Sequence, residues 1–98
     1  MRDVVWSEEA LDDFASAIHF LAKESVKAAH LVADRIEHAI DSLANIPTGR
    51  PGRVQGTYER VVQRTPYVVA YALSDTAIRV VRIIHGARDW PEGEWPAE

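Results

Sequence analysis

Apolar residues in the first half of the chain recur at helical spacing. Ser7 is a candidate N-cap, and Glu8 and Glu9 follow it in the first turn, where the helix dipole favours negative charge. The residues at intervals of three and four after this start form one apolar face: Leu11, Phe14, Ile18 and Leu21. Polar residues fall away from that face: Asp12, Asp13, His19 and Lys23. The pattern predicts an amphipathic helix of about four turns.

A second helix is predicted after Ser25, which is also a candidate N-cap. Its apolar face has the same spacing and comprises Ala29, Val32, Ile36, Ala39, Ile40 and Leu43. Pro47 and Gly49 end the helical pattern. Because few residues separate the two helices, we expect an antiparallel helical hairpin over residues 8–45.

Strand patterns replace the helical one in the second half of the chain. Residues 3–6 already form a short β-prone segment, and residues 48–56 form a loop rich in Gly and Pro. Three strands are predicted at 58–64, 67–73 and 77–85, with turn residues between them. Connections this short make neighbouring strands antiparallel. The predicted fold class is α+β: an N-terminal strand, an antiparallel helical hairpin and a three-stranded antiparallel meander, with the hairpin on one sheet face.

Composition narrows the classes of protein that fit this fold. The 98 residues suffice for a single domain, 1–98, and their 47% hydrophobic and 27% charged content is typical of soluble globular proteins. The chain has no cysteine, which excludes disulfides and thiolate metal sites. Its longest apolar run, at 67–73, is far shorter than the roughly 20 residues of a membrane helix. We therefore expect a cytoplasmic protein with no membrane partner and no cofactor.

The net charge of −4 conceals an uneven distribution along the chain. Residues 1–49 carry four basic and nine acidic side chains, residues 50–88 carry seven Arg and two acids, and residues 89–98 add four acids. Every basic residue after position 49 is Arg, whose planar guanidinium suits phosphate and carboxylate partners. The middle of the chain is therefore either solvated strand surface or a surface for a polyanion or an acidic partner.

Five segments, in order, resemble the RelE/ParE superfamily of toxins from bacterial type II toxin–antitoxin systems. They are WSEEAL at 6–11, GRPGR at 49–53, YERVV at 58–62, TPYVVAY at 65–71 and IHGARDWP at 84–91. The resemblance covers nearly the whole chain. It implies a toxin that arrests growth, as in systems of plasmid stabilisation. It also implies a cognate antitoxin, encoded beside the toxin, that binds it in a hetero-oligomer.

The superfamily contains two mechanisms that use different residues. Toxins of the RelE branch cleave mRNA on the ribosome with several cations and a tail tyrosine, which stabilise charge on the scissile phosphate and move protons. The matching positions in this chain are Glu59, Val61, Val68, Arg88 and Glu94. Only Arg88 keeps the required type of side chain. The resemblance therefore favours the ParE branch, which inhibits DNA gyrase, and it assigns no catalytic residue.

Two sets of binding residues are predicted. The residues expected to contact the target lie at the end of the last strand and just after it: His85, Arg88 and Trp90. The residues expected to meet carboxylates of the antitoxin are Arg53, Arg60 and Arg64. Arg88 has a structural alternative, because Asp89 lies beside it and can pair with it.

Alternatives stay open at this point. The first alternative function is a ribosome-dependent mRNA interferase, and another is a non-toxic protein of the same fold that only binds or regulates the antitoxin. A different nuclease site would combine Arg53, Arg60 and Arg64 with His85 as acid or base.

Aromatic and histidine residues also allow more than one interpretation. Core packing is expected for Tyr67 and Tyr71, whereas Trp90 and Trp95 are equally consistent with a partner surface. A spacing of four places polar groups on one helix side, at His30, Asp34 and His38. We interpret that side as solvated and expect no metal.

Overall fold

A five-stranded mixed sheet carries both helices on one face. The computed structural model describes residues 1–86. Its elements are β1 (Asp3–Trp6), α1 (Glu8–Ala22), α2 (Val26–Leu43), β2 (Arg50–Pro51), β3 (Tyr58–Val61), β4 (Tyr67–Leu73) and β5 (Ala77–His85). The strand order is β1-β5-β4-β3-β2. This architecture confirms the predicted α+β class and the antiparallel meander.

The first strand pairs in parallel with the last one. Asp3 lies opposite Ala77 and Trp6 opposite Val80. Parallel neighbours need a long crossover connection, and the helical hairpin lies in the chain between β1 and the meander. The hairpin thus serves as part of that crossover and as the cover of one sheet face.

Serine side chains begin both helices, as predicted. Ser7 Oγ accepts a hydrogen bond from the Ala10 amide at 3.0 Å, and Ser25 Oγ accepts one from the Ala28 amide at 3.1 Å. The Ser7 hydroxyl also donates to the Val81 carbonyl at 2.8 Å. The start of α1 is therefore fixed to β5. No helix within residues 1–86 is both long and apolar enough to cross a membrane.

The core lies between the helical hairpin and the sheet. The predicted apolar face of α2 is confirmed, because its members are buried or packed against the core: Ala29, Val32, Ile36, Ala39, Ile40 and Leu43. The predicted face of α1 is partly wrong, since Leu11 is 52% exposed and Ala10 is fully buried. The actual face runs through Ala10, Phe14, Ala17 and Leu21. Close attachment of Ser7 to β5 leaves room for a small side chain at position 10.

Two local features depart from the predicted strands. Residues 48–56 are not only loop, because Arg50 and Pro51 pair with Glu59 and Tyr58 as a short antiparallel strand. A β-bulge interrupts the β4–β5 pairing, where Ala70 lies opposite Arg82 and Tyr71 opposite Val80. The extra residue, Val81, breaks the alternation of β5.

Candidate partner-binding surface

Glu59 is a buried carboxylate that holds the loop before β3. Its side chain is 2% exposed. Arg50 donates to its Oε1 from Nη2 at 3.1 Å and from Nε at 3.3 Å, and the Arg53 amide donates to its Oε2 at 2.9 Å. The Arg53 Nε lies 3.8 Å from the same Oε2. Glu59 therefore supplies the counter-charge for two arginines and fixes the backbone at position 53.

Gly49 permits the close approach of this loop to β3. Its φ of +152° lies in a region that favours glycine, and a Cβ built there would lie 2.7 Å from the Glu59 carbonyl oxygen. The GRPGR segment thus has a structural basis in the contact between the loop and Glu59.

The sheet face away from the helices carries three of the positions that match the mRNA-cleaving relatives, Glu59, Val61 and Val68. Glu59 lies opposite Ala70, and Val61 lies opposite Val68. Val68 and Ala70 form a separate apolar cluster with Ile84. This part of the face therefore contains an ion-paired carboxylate and apolar side chains.

Arg60 and Arg64 lie together on the other side of β3. They line a cavity of about 380 Å³ with Arg35 and His38 of α2. Arg60 Nη1 donates to Thr48 Oγ1 at 2.6 Å, and Arg35 Nη1 donates to the Arg64 carbonyl at 3.3 Å. Within residues 1–86, no carboxylate lies within ion-pair distance of these three guanidinium groups.

Arg53 lies apart from the other two predicted antitoxin-binding residues. Glu59, its partner, faces the side of the sheet opposite to Arg60, because neighbouring strand residues alternate. The structure brings together two of the predicted arginines and adds Arg35, which the sequence pattern did not single out. The proximity of α2 to β3 is a tertiary contact with no local sequence signal.

His85 lies at a third location. Its ring packs edge-to-face on Tyr67 with centroids 5.6 Å apart, beside a cavity of about 300 Å³ that Asp13 and Phe20 also line. The alternative nuclease site is therefore not assembled, since its arginines and His85 lie in separate places. The core assignment of Tyr67 and Tyr71 is confirmed by their burial. The predicted residues Arg88, Trp90 and Trp95 lie outside the described residues.

Asp13 corrects the predicted polar side of α1. Its carboxylate accepts from Arg82 Nε at 2.7 Å, from Arg82 Nη2 at 3.0 Å and from the Ile83 amide at 3.0 Å. Both side chains of this ion pair are largely buried. Because β1 pairs with β5 only as far as Val80, Asp13 occupies the strand edge beyond β1 and joins α1 to it.

Thr48 connects the core to the arginine cavity. Its carbonyl accepts a hydrogen bond from the Tyr71 hydroxyl at 2.8 Å, and its hydroxyl accepts from Arg60. Burial raises the pKa of Tyr71, and the nearby Arg60 charge partly opposes that effect. Across residues 1–86, no three metal-ligating side chains converge, and His30, Asp34 and His38 form no such group.

Comparison with known protein families identifies the class to which this α+β chain belongs. Residues 4–90 match the family model described as the ParE toxin of the type II toxin–antitoxin system parDE. The chain belongs to this family, which confirms the RelE/ParE resemblance and implies an antitoxin partner.

Two relatives match over most of their length. The chain is 33% identical over 92 residues to the putative toxin Y4kP of Sinorhizobium fredii, covering 93% of this chain and 95% of that protein. It is 36% identical over 88 residues to toxin RelE2 of Caulobacter vibrioides, covering 90% of this chain and 99% of the relative.

Solved structures match the fold at low identity. The chromosomal ParDE system from P. aeruginosa matches with a TM-score of 0.78 at 20% identity, covering 87% of this chain and 96% of that chain. A YafQ variant from E. coli matches with a TM-score of 0.57 at 18% identity, covering 89% and 96%.

Proposed function

We propose that this toxin inhibits DNA gyrase, does not cleave RNA and is neutralised by its cognate antitoxin. The observation that supports this proposal is that a buried acid and two valines occupy three positions where mRNA-cleaving relatives carry cations. Glu59 is buried in ion pairs, and Val61 lies opposite Val68, which belongs to an apolar cluster.

Those three positions lack the groups that RNA cleavage requires. A cleavage site needs cations aimed at the phosphate and a side chain that moves a proton. The two arginines that reach Glu59, Arg50 and Arg53, share its carboxylate and fix the loop. Loss of preorganised cations costs several kcal/mol of transition-state stabilisation. Gyrase inhibition needs a binding surface and no such site.

The target surface is proposed at the end of β5. His85 lies there and lines a cavity together with residues of α1. The proposed surface also includes Arg88 and Trp90, which follow His85 in the sequence and lie outside the described residues. Tryptophan and arginine are frequent binding hot spots, which is why they are selected.

Two assays with purified toxin test the mechanism. We expect inhibition of gyrase supercoiling and no cleavage of ribosome-bound mRNA, detected by primer extension. Toxin premixed with the antitoxin is the control and should inhibit neither reaction. Cleavage of mRNA in the ribosomal A site supports the mRNA interferase instead. Toxin that affects neither gyrase nor translation supports the non-toxic regulator.

Arg88→Ala tests the target surface. We expect weaker growth arrest with little change in the free energy of unfolding, since our proposal assigns Arg88 to a binding surface, where substitutions usually change it by within about 0.5 kcal/mol. Lys27→Ala, on the exposed surface of α2, is the charge-matched control. Full toxicity of Arg88→Ala removes this residue from the proposed surface.

A further inference from the structure

Two adjoining cavities form an elongated groove between α2 and β3. They share Arg60, which lines both. On the helix side, the groove runs from Asp34 through α2 to Asn45 and Ile46 in the turn that follows. At about 1.5 Å per helical residue, this distance is roughly 16 Å. We call this surface the α2–β3 groove.

Cationic side chains dominate the end of the α2–β3 groove that lies beside Asp34. Arg35, Arg60 and Arg64 line it, and Asp34 is the single acidic residue among the lining residues. None of the three guanidinium groups lies within ion-pair distance of a carboxylate in the described part of the chain. Concave surfaces lined by one sign of charge concentrate the potential and attract the opposite charge.

Beside the arginines and Asp34, both polar and apolar residues line the α2–β3 groove. Buried Ala39 and Val62 line its floor. At the other end, Ile46 is 68% exposed. An occupant that complements the arginines at one end and Ile46 at the other therefore needs acidic groups and an apolar group.

We propose that the α2–β3 groove binds an acidic segment of the antitoxin, with its carboxylates on Arg35, Arg60 and Arg64 and an apolar side chain on Ile46. This inference rests on the antitoxin partner of the proposed function. A groove of roughly 16 Å accommodates about five extended residues or about three turns of helix. Guanidinium groups bind carboxylates in a bidentate geometry, which fixes the register of the segment.

A polypeptide fits these features better than a nucleic acid. A phosphate backbone carries a charge at every nucleotide and would therefore also place charge beside Asp34 and beside the exposed Ile46. A peptide can place carboxylates and an apolar side chain separately, so that each meets its complement.

Binding of the purified antitoxin, the polypeptide encoded beside the toxin, tests the groove by calorimetry and stopped-flow mixing. Arg60→Gln with Arg64→Gln should weaken antitoxin binding, raising the Kd by about 10- to 100-fold, and should flatten the salt dependence of the association rate. The control is Lys23→Gln with Lys27→Gln, which removes the same charge from exposed positions outside the groove. We expect its Kd to change by less than about threefold. Equal effects of the two double variants overturn the proposal.

Two further measurements distinguish carboxylate binding in the groove from a disturbed fold and from phosphate binding. Arg35→Gln with Arg64→Gln leaves the bond from Arg60 to Thr48 intact, and it should weaken antitoxin binding to a similar degree while thermal unfolding shows a folded protein. A short single-stranded DNA oligonucleotide probes phosphate binding. If Arg60→Gln with Arg64→Gln loses oligonucleotide binding but keeps its affinity for the antitoxin, the groove binds phosphate and the proposal is overturned. Neither measurement uses gyrase, so a failure of the groove is distinguishable from a failure of gyrase inhibition.

Discussion

Glu59 and Arg60 are neighbours in β3, yet the arginines around them have different surroundings. On the Glu59 side, Arg50 and Arg53 share a buried carboxylate. On the Arg60 side, the guanidinium groups have only neutral oxygens as described partners, from Thr48 and from a carbonyl. The counter-charge that the fold provides therefore separates the arginines that maintain the structure from those that we propose as partner-facing.

The ion pair of Asp13 with Arg82 extends this comparison to α1. It belongs with the Glu59 cluster, because a carboxylate from one element holds an arginine of another. It also accepts from a backbone amide at the β5 edge, which would otherwise need a strand neighbour. Burial of such pairs costs desolvation, so their value lies in fixing the arrangement of the elements.

The largest effect is expected for Glu59→Ala. Removal of the carboxylate eliminates three charge-assisted hydrogen bonds and frees the loop at residues 50–53. We expect a loss of about 3 kcal/mol in the free energy of unfolding, measured in urea. The loss should stay below the upper range for buried pairs, because Arg50 is 58% exposed and regains water.

Glu59→Gln is the matched control for that variant. It keeps the shape and one acceptor oxygen, and should lose about half as much stability. A loss within about 0.5 kcal/mol for Glu59→Ala would contradict the structural role of the cluster and equate Glu59 with an ordinary surface acid.

A smaller loss, about 2 kcal/mol, is expected for Asp13→Ala. The variant leaves the Arg82 guanidinium and the Ile83 amide without their acceptor in a largely buried place. Asp12→Ala, at an exposed position one residue earlier, is the control and should change stability little. Urea unfolding measures both. Equal stability of the two variants would show that Asp13 is as solvated as the sequence pattern predicts.

Helix and strand positions were predictable because their signals are local. The serine caps, the face of α2 through Ile36 and Ile40, and the meander all follow from spacing within a few residues. The pairing of β1 was not predictable in this way. It depends on contact between Asp3 and Ala77, which lie at opposite ends of the described chain.

The same limit applies to the candidate surface. Arg60 and Arg64 were selected from charge alone, and the structure places them in one cavity. Charge alone did not reveal that Arg53 is held by Glu59 on the opposite side, since strand alternation is needed to separate positions 59 and 60. Arg35 was missed because only tertiary packing brings α2 to β3. Asp13 was misplaced because its partner is 69 residues away.

Tyr71→Phe should cost about 1 kcal/mol at neutral pH, because the Thr48 carbonyl loses its donor. The raised pKa of Tyr71 also gives a pH dependence. The folded protein keeps the hydroxyl proton at pH values where the unfolded chain has lost it. Stability from this group is therefore complete below about pH 10 and is lost as the pH rises through the folded pKa.

The difference in unfolding free energy between wild type and Tyr71→Phe isolates this effect. The other titrating groups are common to both proteins, so that their contributions largely cancel. The difference should shrink above about pH 10. A constant difference up to alkaline unfolding would show that the hydroxyl is not desolvated.

The smallest effect is expected for Arg64→Gln, and it sharpens the comparison of the two sides of β3. Arg64 is exposed and has no carboxylate partner within the described residues, so its loss should change the free energy of unfolding by within about 0.5 kcal/mol. Arg50→Gln should cost about 1 kcal/mol, because it leaves the buried Glu59 carboxylate with fewer donors.

Arg64→Gly separates the effect of the backbone from that of the side chain. The φ of Arg64 is +64°, so glycine relieves strain there and the glycine variant should be more stable than the glutamine variant. In urea unfolding, we expect Arg64→Gly to be the most stable of the three variants, followed by Arg64→Gln and then Arg50→Gln. If Arg64→Gln is instead as costly as Arg50→Gln, Arg64 is part of the folded scaffold, and the distinction between structural and partner-facing arginines fails.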